Sequence, residues 1–293
     1  MLHARRTRLE IPAGDTVMGS DDDYLEERPA HRRRVEAFTM DVAPVTVADF
    51  GAFVAVTGYV TTAEQPADTD SLAPGEPAGG SMVFTPTPGP VSLDDSSQWW
   101  TYVPGTSWRC PGGPGTAAHP SHPVVHVSFL DANAYAEWSG AVLPTEEQWE
   151  HAARAGGASH YAWGGRHEPG GMRLANTWHG RFPWADTDPD GFRRTSPVGK
   201  YPANPWGLYD MIGNVWEWTR TGATASHSVD DAEVRVRPLG GGVRSTVIKG
   251  GSFLCAREYC RRDRPAARAF EEIRSSSSHL GFRCVGSAYD GSL

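Results

Sequence analysis

The sequence predicts an irregular α+β domain in which short strands and ordered coil outweigh helix. Three observations carry this. Glycine (33 residues), proline (23) and tryptophan (11) are abundant in the 293-residue chain, which suits a loop-heavy fold rather than long helices. Only three segments combine helical periodicity with capping signals. Elsewhere the chain offers short, weakly alternating runs between many Gly and Pro residues.

Taken in order, Arg32 to Met40 is the first strand-like run. Thr46 can then cap a helix with Val47, Phe50, Phe53 and Val54 at helical spacing, ended by Gly58. The stretch at about 65–97 is rich in Pro, Gly, Asp and Ser and reads as a long surface excursion. Ser128 can cap a second helix, with Leu130, Ala134, Tyr135 and Trp138 on one face and Gly140 at its stop. In the third, Thr145 pairs with Gln148 in a capping box, and Trp149, Ala152 and Ala153 face inward until Gly156-Gly157. Thr246 to Phe253 is the second strand-like run. Nothing reads as a linker between two cores, so residues 1–293 are expected to form a single domain.

Twenty-seven basic against 35 acidic residues give a net charge of −8, which argues against a nucleic-acid partner. The Asp21-Asp22-Asp23 run reads as solvated loop. The N-terminus lacks the apolar core of a secretory signal, and no apolar run approaches the length that spans a bilayer. The expectation is a soluble, cytoplasmic protein without a membrane partner, where free thiols persist. Cys110 then reads as a loop thiol and Cys284 as a core thiol.

Chemistry concentrates near the C-terminus. Cys255 and Cys260 stand five positions apart, directly after Gly250-Gly251-Ser252. Such a pair could converge on one soft ion, oxidise to a disulfide, or simply be buried. The soft ion that two thiolates select is Cu(I). Arg257, Arg261, Arg262 and Arg264 surround the pair with positive charge, which should lower the thiol pKa values. Asp186-x-Asp188-x-Asp190-Gly191 opens like a calcium loop, but Pro197 stands where an EF-hand needs its bidentate Glu, so it is an acidic turn or another kind of cation loop. His119, His122 and His126 lie on one strand-like run that would splay their rings, against a zinc site. No Gly-rich phosphate loop and no Ser-His-Asp order is legible.

The segments Gly250 to Cys255, Tyr259-Cys260 and Leu280-Gly281-Phe282-Arg283-Cys284 resemble the C-terminal signature of the formylglycine-generating enzymes, the sulfatase-modifying factor family. The likeness continues in the family's order through Pro44-Val45-Thr46, Thr57-Gly58-Tyr59, His122 to Ser128, Leu143 to Glu150, Gly207 to Asp210 and Gly213 to Trp218. It implies a C-type-lectin-like formylglycine-generating fold with little regular structure. It also implies oxidation of a cysteine to Cα-formylglycine in an unfolded sulfatase-type polypeptide carrying Cys-x-Pro-x-Arg, with dioxygen and a thiol reductant. Cys255 and Cys260 would hold Cu(I), and Ser252, Trp216 and Tyr259 would shape the oxygen and substrate pocket. A first structural calcium is implied at the Asn176 and Asp190 side chains and the Thr177 and Phe192 carbonyls. A second falls on Asp210, Gly213, Val215 and Glu217, with carbonyl oxygens from the middle two.

The chain departs from the family at Arg262-Asp263-Arg264, at Phe270 to Ser276, and in the length between Glu64 and Ser81. The added carboxylates Asp263, Glu271 and Glu272 could hold a substrate Arg or signal a different peptide. Two rivals follow: a copper oxidase of the same family acting on another thiol peptide or small molecule, and an inactive lectin-like binding paralogue. Retention of both Cys255 and Cys260 speaks against the second.

Overall fold

Each helix begins where a hydroxyl side chain closes a reciprocal cap. In the computed structural model, which describes residues 6–65, 79–187, 189–224, 227 and 245–286, the Asp49 N–H donates to Thr46 Oγ1 and the Thr46 N–H to Asp49 Oδ2, each at 3.1 Å. This launches α1 (Val47–Thr57), which Gly58 ends at φ 69°. Ser128 with Asp131, and Thr145 with Gln148, start α2 (Phe129–Trp138) and α3 (Glu146–Arg154) in the same way. The last helix stops at Ala155 in the left-handed region, one residue before the expected Gly156. The buried face of α2 is Phe129, Ala132, Tyr135 and Ala136, with Leu130, Ala134 and Trp138 packed at its flanks. The expected face is thus rotated, because apolar residues occur almost all round this ten-residue helix.

The strands are short. β1 (Arg8–Ile11), β2 (Gly14–Met18), β3 (His31–Val35) and β4 (Phe38–Asp41) precede α1. β5 (Gly80–Phe84) and β6 (Trp100–Pro104) come before α2, and β7 (Ala141–Val142) before α3. β8 (Gly180–Arg181), β9 (Ala185–Asp186), β10 (Trp216–Gly222) and β11 (Ser245–Lys249) follow. β12 (Arg268–Glu272), β13 (Leu280–Gly281) and β14 (Val285–Gly286) complete the set. One sheet runs β1-β4-β14-β7 and a second β12-β11-β10-β13, while β2-β3, β5-β6 and β8-β9 form separate pairs. The Arg32 to Met40 run therefore divides between two sheets. Of the supposed surface excursion, 66–78 lies outside the described residues, and Gly80–Phe84 is strand with Ser81, Val83 and Phe84 buried. Alternation within β5 buries these side chains and makes this part sheet rather than loop.

The main apolar core joins α1 and α2 to the second sheet through Phe50, Phe53, Tyr135, Trp218, Ile248 and Phe282. A second cluster sets α3 against the first sheet through Trp149, Ile11, Met40 and Val285. Cys284 is fully buried in the main core, as expected of a core thiol. Polar groups bind the two halves. Arg283 Nε and Nη2 donate to the two oxygens of Glu217 at 2.7 Å each, and Trp149 Nε1 donates to Glu217 at 2.7 Å. The same guanidinium reaches the Asp41, Tyr209 and Asp210 carbonyls at 3.4, 2.9 and 3.2 Å. Beside it Glu146, Glu150 and His227 converge. Lys249 Nζ lies 3.4 and 2.9 Å from the two carboxylates, and Arg268 and Arg154 pair with them at 3.0 and 2.8 Å, which makes this an ion network with its charge already matched.

Removing one partner of a buried pair leaves the other charge uncompensated, at about 3–5 kcal/mol. Arg283→Met should lower the unfolding free energy by about that much in chemical denaturation, and Arg283→Met with Glu217→Met should lose less than the sum of the single changes. Additive losses would show that the pair is not a coupled unit.

Candidate active site

After β11 the chain turns through Gly250 at φ 96° and Gly251 at φ 69°. A Cβ on Gly251 would lie 2.8 Å from Cys255 Sγ, 2.9 Å from the Arg262 carbonyl oxygen and 2.9 Å from Asp263 Cα. Glycine here makes room for the sulfur. The Ser252 N–H donates to Cys255 Sγ at 3.4 Å and the Cys255 N–H returns to the Ser252 carbonyl at 2.9 Å. A second turn, closed by the Cys260 N–H on the Ala256 carbonyl at 2.7 Å, brings the other thiol round. Cys255 Sγ and Cys260 Sγ lie 3.4 Å apart as free thiols, the first buried and the second half-buried.

The two thiols differ sharply. The hydrogen bond to Cys260, followed by burial, pushes the Cys255 thiol well up. The hydrogen bond from Cys255 brings Cys260 down to about 7, helped by the Arg262 backbone N–H and charge. The first thiolate therefore forms on Cys260. The arginines act less evenly than expected: Arg262 lowers the Cys260 thiol as anticipated, although it and Arg264 are also paired with carboxylates. Arg262 pairs with Glu26 and sits 3.8 Å over the Tyr24 ring. Arg264 binds Glu27 at 2.9 and 2.6 Å and Asp23 at 2.9 Å. Arg257 and Arg261 line a separate cavity with His160, Tyr161 and His167.

Ser252 Oγ accepts from the Leu254 N–H at 3.2 Å and lies 3.1 Å from His279 Nδ1. His279 is the residue that sequence reading missed. It directly precedes Leu280-Gly281-Phe282-Arg283, and a histidine inside that signature was the available signal. Burial pushes its pKa down to about 3, so it is a neutral imidazole. Trp216 donates its N–H to the His279 carbonyl at 2.8 Å while its ring belongs to the main core, so it joins the site through backbone. Tyr259 forms a rim, stacked on Phe182 at 4.5 Å and edge-on to Trp99 at 5.6 Å.

The two implied calcium sets adjoin, since the Asn214 N–H donates to the Asn176 carbonyl at 2.8 Å. In the first, the Asn176 amide nitrogen is held by the Arg194 carbonyl at 2.9 Å. Buried Thr177 Oγ1 has no hydrogen-bond partner, which fits an oxygen-seeking ion nearby. Asp190 is shared by Arg173 and Tyr201 at 2.9 Å each, and Phe192 is half-buried beside it in sequence. In the second, Asp210 accepts from the Gly199 N–H at 2.7 Å and the Asn214 amide at 3.4 Å, and burial pushes its carboxyl up to about 6. These direct partners are neutral donors, so Asp210 with the Gly213 and Val215 carbonyls suits a hard cation. The charge of Glu217 is already matched by Arg283. Asp188 lies outside the described residues. The three histidines do not converge: His122 meets Thr195 Oγ1 at 2.9 Å, and buried His126 is held by Ser81 Oγ and the Pro111 carbonyl at 2.8 and 2.9 Å.

The model of the sulfatase-modifying factor enzyme 1-like domain matches residues 3–288. The chain is 49% identical to the formylglycine-generating enzyme of Mycobacterium tuberculosis over 295 residues, covering 97% of this chain and 98% of that protein. It is 42% identical to the formylglycine-generating enzyme of Bos taurus over 289 residues, covering 94% and 74%. Among solved structures, PvdO from Pseudomonas aeruginosa aligns with a TM-score of 0.65 at 23% identity, covering 95% of this chain and 93% of that one, a likeness of fold.

In metal-free protein, the rate of Cys260 alkylation should rise with pH around a midpoint of about 7, against roughly 8.5 for an ordinary thiol. Cys255 should stay unlabelled over the same range. Peptide mapping of labelled protein reads both sites, and preferential labelling of Cys255 would reverse the assignment. Gly251→Ala should disturb this pattern, because its methyl group would meet the sulfur.

Proposed function

Because the chain belongs to the sulfatase-modifying factor enzyme family, whose domain model spans nearly its whole length, we propose that it oxidises a cysteine of an unfolded sulfatase-type polypeptide to Cα-formylglycine, with dioxygen as oxidant and copper held by Cys255 and Cys260. The fold is the irregular α+β arrangement of formylglycine-generating enzymes, and the chain is an oxidase acting on a peptidyl cysteine. The observation that carries the finer reading is the pair of free thiols 3.4 Å apart, one nearly fully buried and the other with a pKa near neutrality. Two soft sulfur donors with no hard ligand between them suit Cu(I). When bound, that ion supplies the one-electron chemistry with dioxygen that no amino-acid side chain provides.

The balance is simple. A Cys side chain, one dioxygen, two electrons and two protons give the aldehyde, hydrogen sulfide and water. A thiol reductant supplies the two electrons and two protons by forming its disulfide. The protein's own groups position and shield. Cys260 is the thiol that gives up its proton more readily, and Cys255 is fixed by the Ser252 N–H. Neutral His279 holds the Ser252 hydroxyl beside the thiols. Tyr259, Phe182 and Trp99 form a packed aromatic cluster on the segment that carries the thiols. The oxygen-rich sets around Asn176, Asp190 and Asp210 are read as structural calcium sites that cross-tie coil.

Incubation with a Cys-x-Pro-x-Arg peptide, Cu(I), dioxygen and a thiol should give an aldehyde detectable by mass and by hydroxylamine capture. No aldehyde from fully copper-loaded protein would overturn the reading. Cys255→Ser and Cys260→Ser should each abolish turnover, since one thiolate leaves the ion open to exchange. Cys110→Ser should leave turnover near wild type.

A ligand that binds only the folded state stabilises it by about 2.7 kcal/mol at a hundredfold excess over its Kd. Chelation of calcium should accordingly lower Tm, and Asp190→Ala should blunt that response. Superimposable melting curves with and without chelator would remove both calcium assignments.

A further inference from the structure

We propose that the cavity lined by Arg166, Arg257 and Arg261 binds a small-molecule oxyanion, a phosphate or carboxylate group, which ties the turn carrying Cys260 to the segment 160–168. The site is independent of the reaction proposed above. The cavity has a volume of about 540 Å3, the size of a small-metabolite site. Buried Tyr161 belongs to its lining and is set by packing: His160 and His167 stand edge-on to the ring at 5.2 and 5.6 Å, and Trp163 stacks on it at 5.2 Å. The Trp163 indole N–H donates to the Arg166 and His167 carbonyls at 2.9 and 3.2 Å, so this wall is fixed before any ligand arrives. Arg257 and Arg261, on either side of Tyr259-Cys260 in the chain, come from the thiol turn.

Three guanidinium groups share this space with one lining carboxylate, Glu168. Among the described residues none of the three has a carboxylate within ion-pair distance, unlike Arg262 and Arg264 with their acidic corner. The acidic groups nearby are engaged elsewhere. Glu258 accepts from the Phe182 N–H at 2.8 Å, and Asp23 pairs with Arg264 at 2.9 Å. Glu168 lies 3.6 Å from His179 Nδ1, and Asp263 lies 2.6 Å from His167 Nε2. Burial holds His160 below its usual pKa, so the excess charge rests on the arginines. His167 lacks a partner that an anion would provide. Its side chain is only 10% exposed, and neither ring nitrogen makes a hydrogen bond. Nε2 has Asp263 beside it, whereas Nδ1 has Glu168 at 3.9 Å, beyond hydrogen-bond reach. A buried nitrogen without a partner is costly, and an oxygen ligand relieves that cost. Unmatched guanidinium groups facing one cavity suit phosphate and carboxylate oxygens, which they bind through paired N–H groups.

The test is calorimetry on the full chain, without copper or peptide, titrated with inorganic phosphate and separately with succinate. Wild type should show one saturable site for at least one probe, and the tighter of the two identifies the ligand as phosphoryl or carboxylate. Arg257→Ala combined with Arg261→Ala should weaken that binding about tenfold, the factor expected of one charge-assisted hydrogen-bonded pair. Arg166→Ala should weaken it similarly. Arg34→Ala, at an exposed arginine on β3, should leave it unchanged. A saturating probe should move the ring nitrogen resonances of His167 and slow amide hydrogen exchange over 256–262. The site is overturned if neither probe binds saturably, if the double variant keeps its affinity, or if Arg34→Ala loses as much. A His167 ring that does not respond to saturating probe also overturns it, and unchanged exchange over 256–262 overturns the tie to the thiol turn.

Discussion

The pairing of Arg283 with Glu217 is the constraint on which the rest of the molecule hangs. Both side chains are fully enclosed, and the guanidinium also binds carbonyls from β4 and from the loop that precedes β10. Through Trp149 the same carboxylate holds α3. Strands of two to seven residues cannot define a sheet arrangement by ladder hydrogen bonds alone. Here one buried charge pair supplies the register between the two sheets, and β10, β13 and the glycine turn after β11 take their positions around it. Such a pair contributes uniqueness more than net stability, because desolvation offsets much of the attraction.

The thiol loop inherits its rigidity from this frame. Gly213 and Gly250 join backbone to backbone at 2.9 Å, and the Phe253 N–H donates to the Asn214 carbonyl at 3.1 Å. On its other side the loop is held by an acidic corner from the beginning of the chain, where Asp23, Glu26 and Glu27 meet Arg262 and Arg264. The outcome is an asymmetric thiol pair: one sulfur sealed and reluctant to ionise, the other half-buried and readier to. Local turn geometry sets their separation, and the hydrogen bond between them, burial and Arg262 set their difference.

Much of this was legible in the sequence where the controlling interaction is local. The three capping boxes operate over three residues, so Thr46, Ser128 and Thr145 could be identified without knowledge of the fold. The spacing of Cys255 and Cys260 and the glycines before them likewise announce a tight thiol turn. What failed depends on distant partners. The pairing of Arg262 and Arg264 could not be seen, because their counter-charges lie more than 230 residues away, at Glu26 and Glu27. The phase of α2 was ambiguous because packing on both flanks leaves few polar positions. His279 was passed over although it adjoins the Leu280 to Arg283 signature, because its serine partner lies 27 residues away.

The acidic corner has a consequence for how the molecule comes into being. Glu27 leaves the ribosome 237 residues ahead of Arg264, an interval of roughly 10–50 s at a synthesis rate of about 5–20 residues per second. Throughout that wait the first carboxylates have no guanidinium to receive, and the cysteines that Arg262 and Arg264 anchor have not yet been made. The acidic corner cannot close on the thiol loop before then, and the Arg283–Glu217 pair forms later still. The ion pairs that hold the loop on that side form only after Arg262 and Arg264 have been made, so its anchoring to the acidic corner is a late event for the nascent chain.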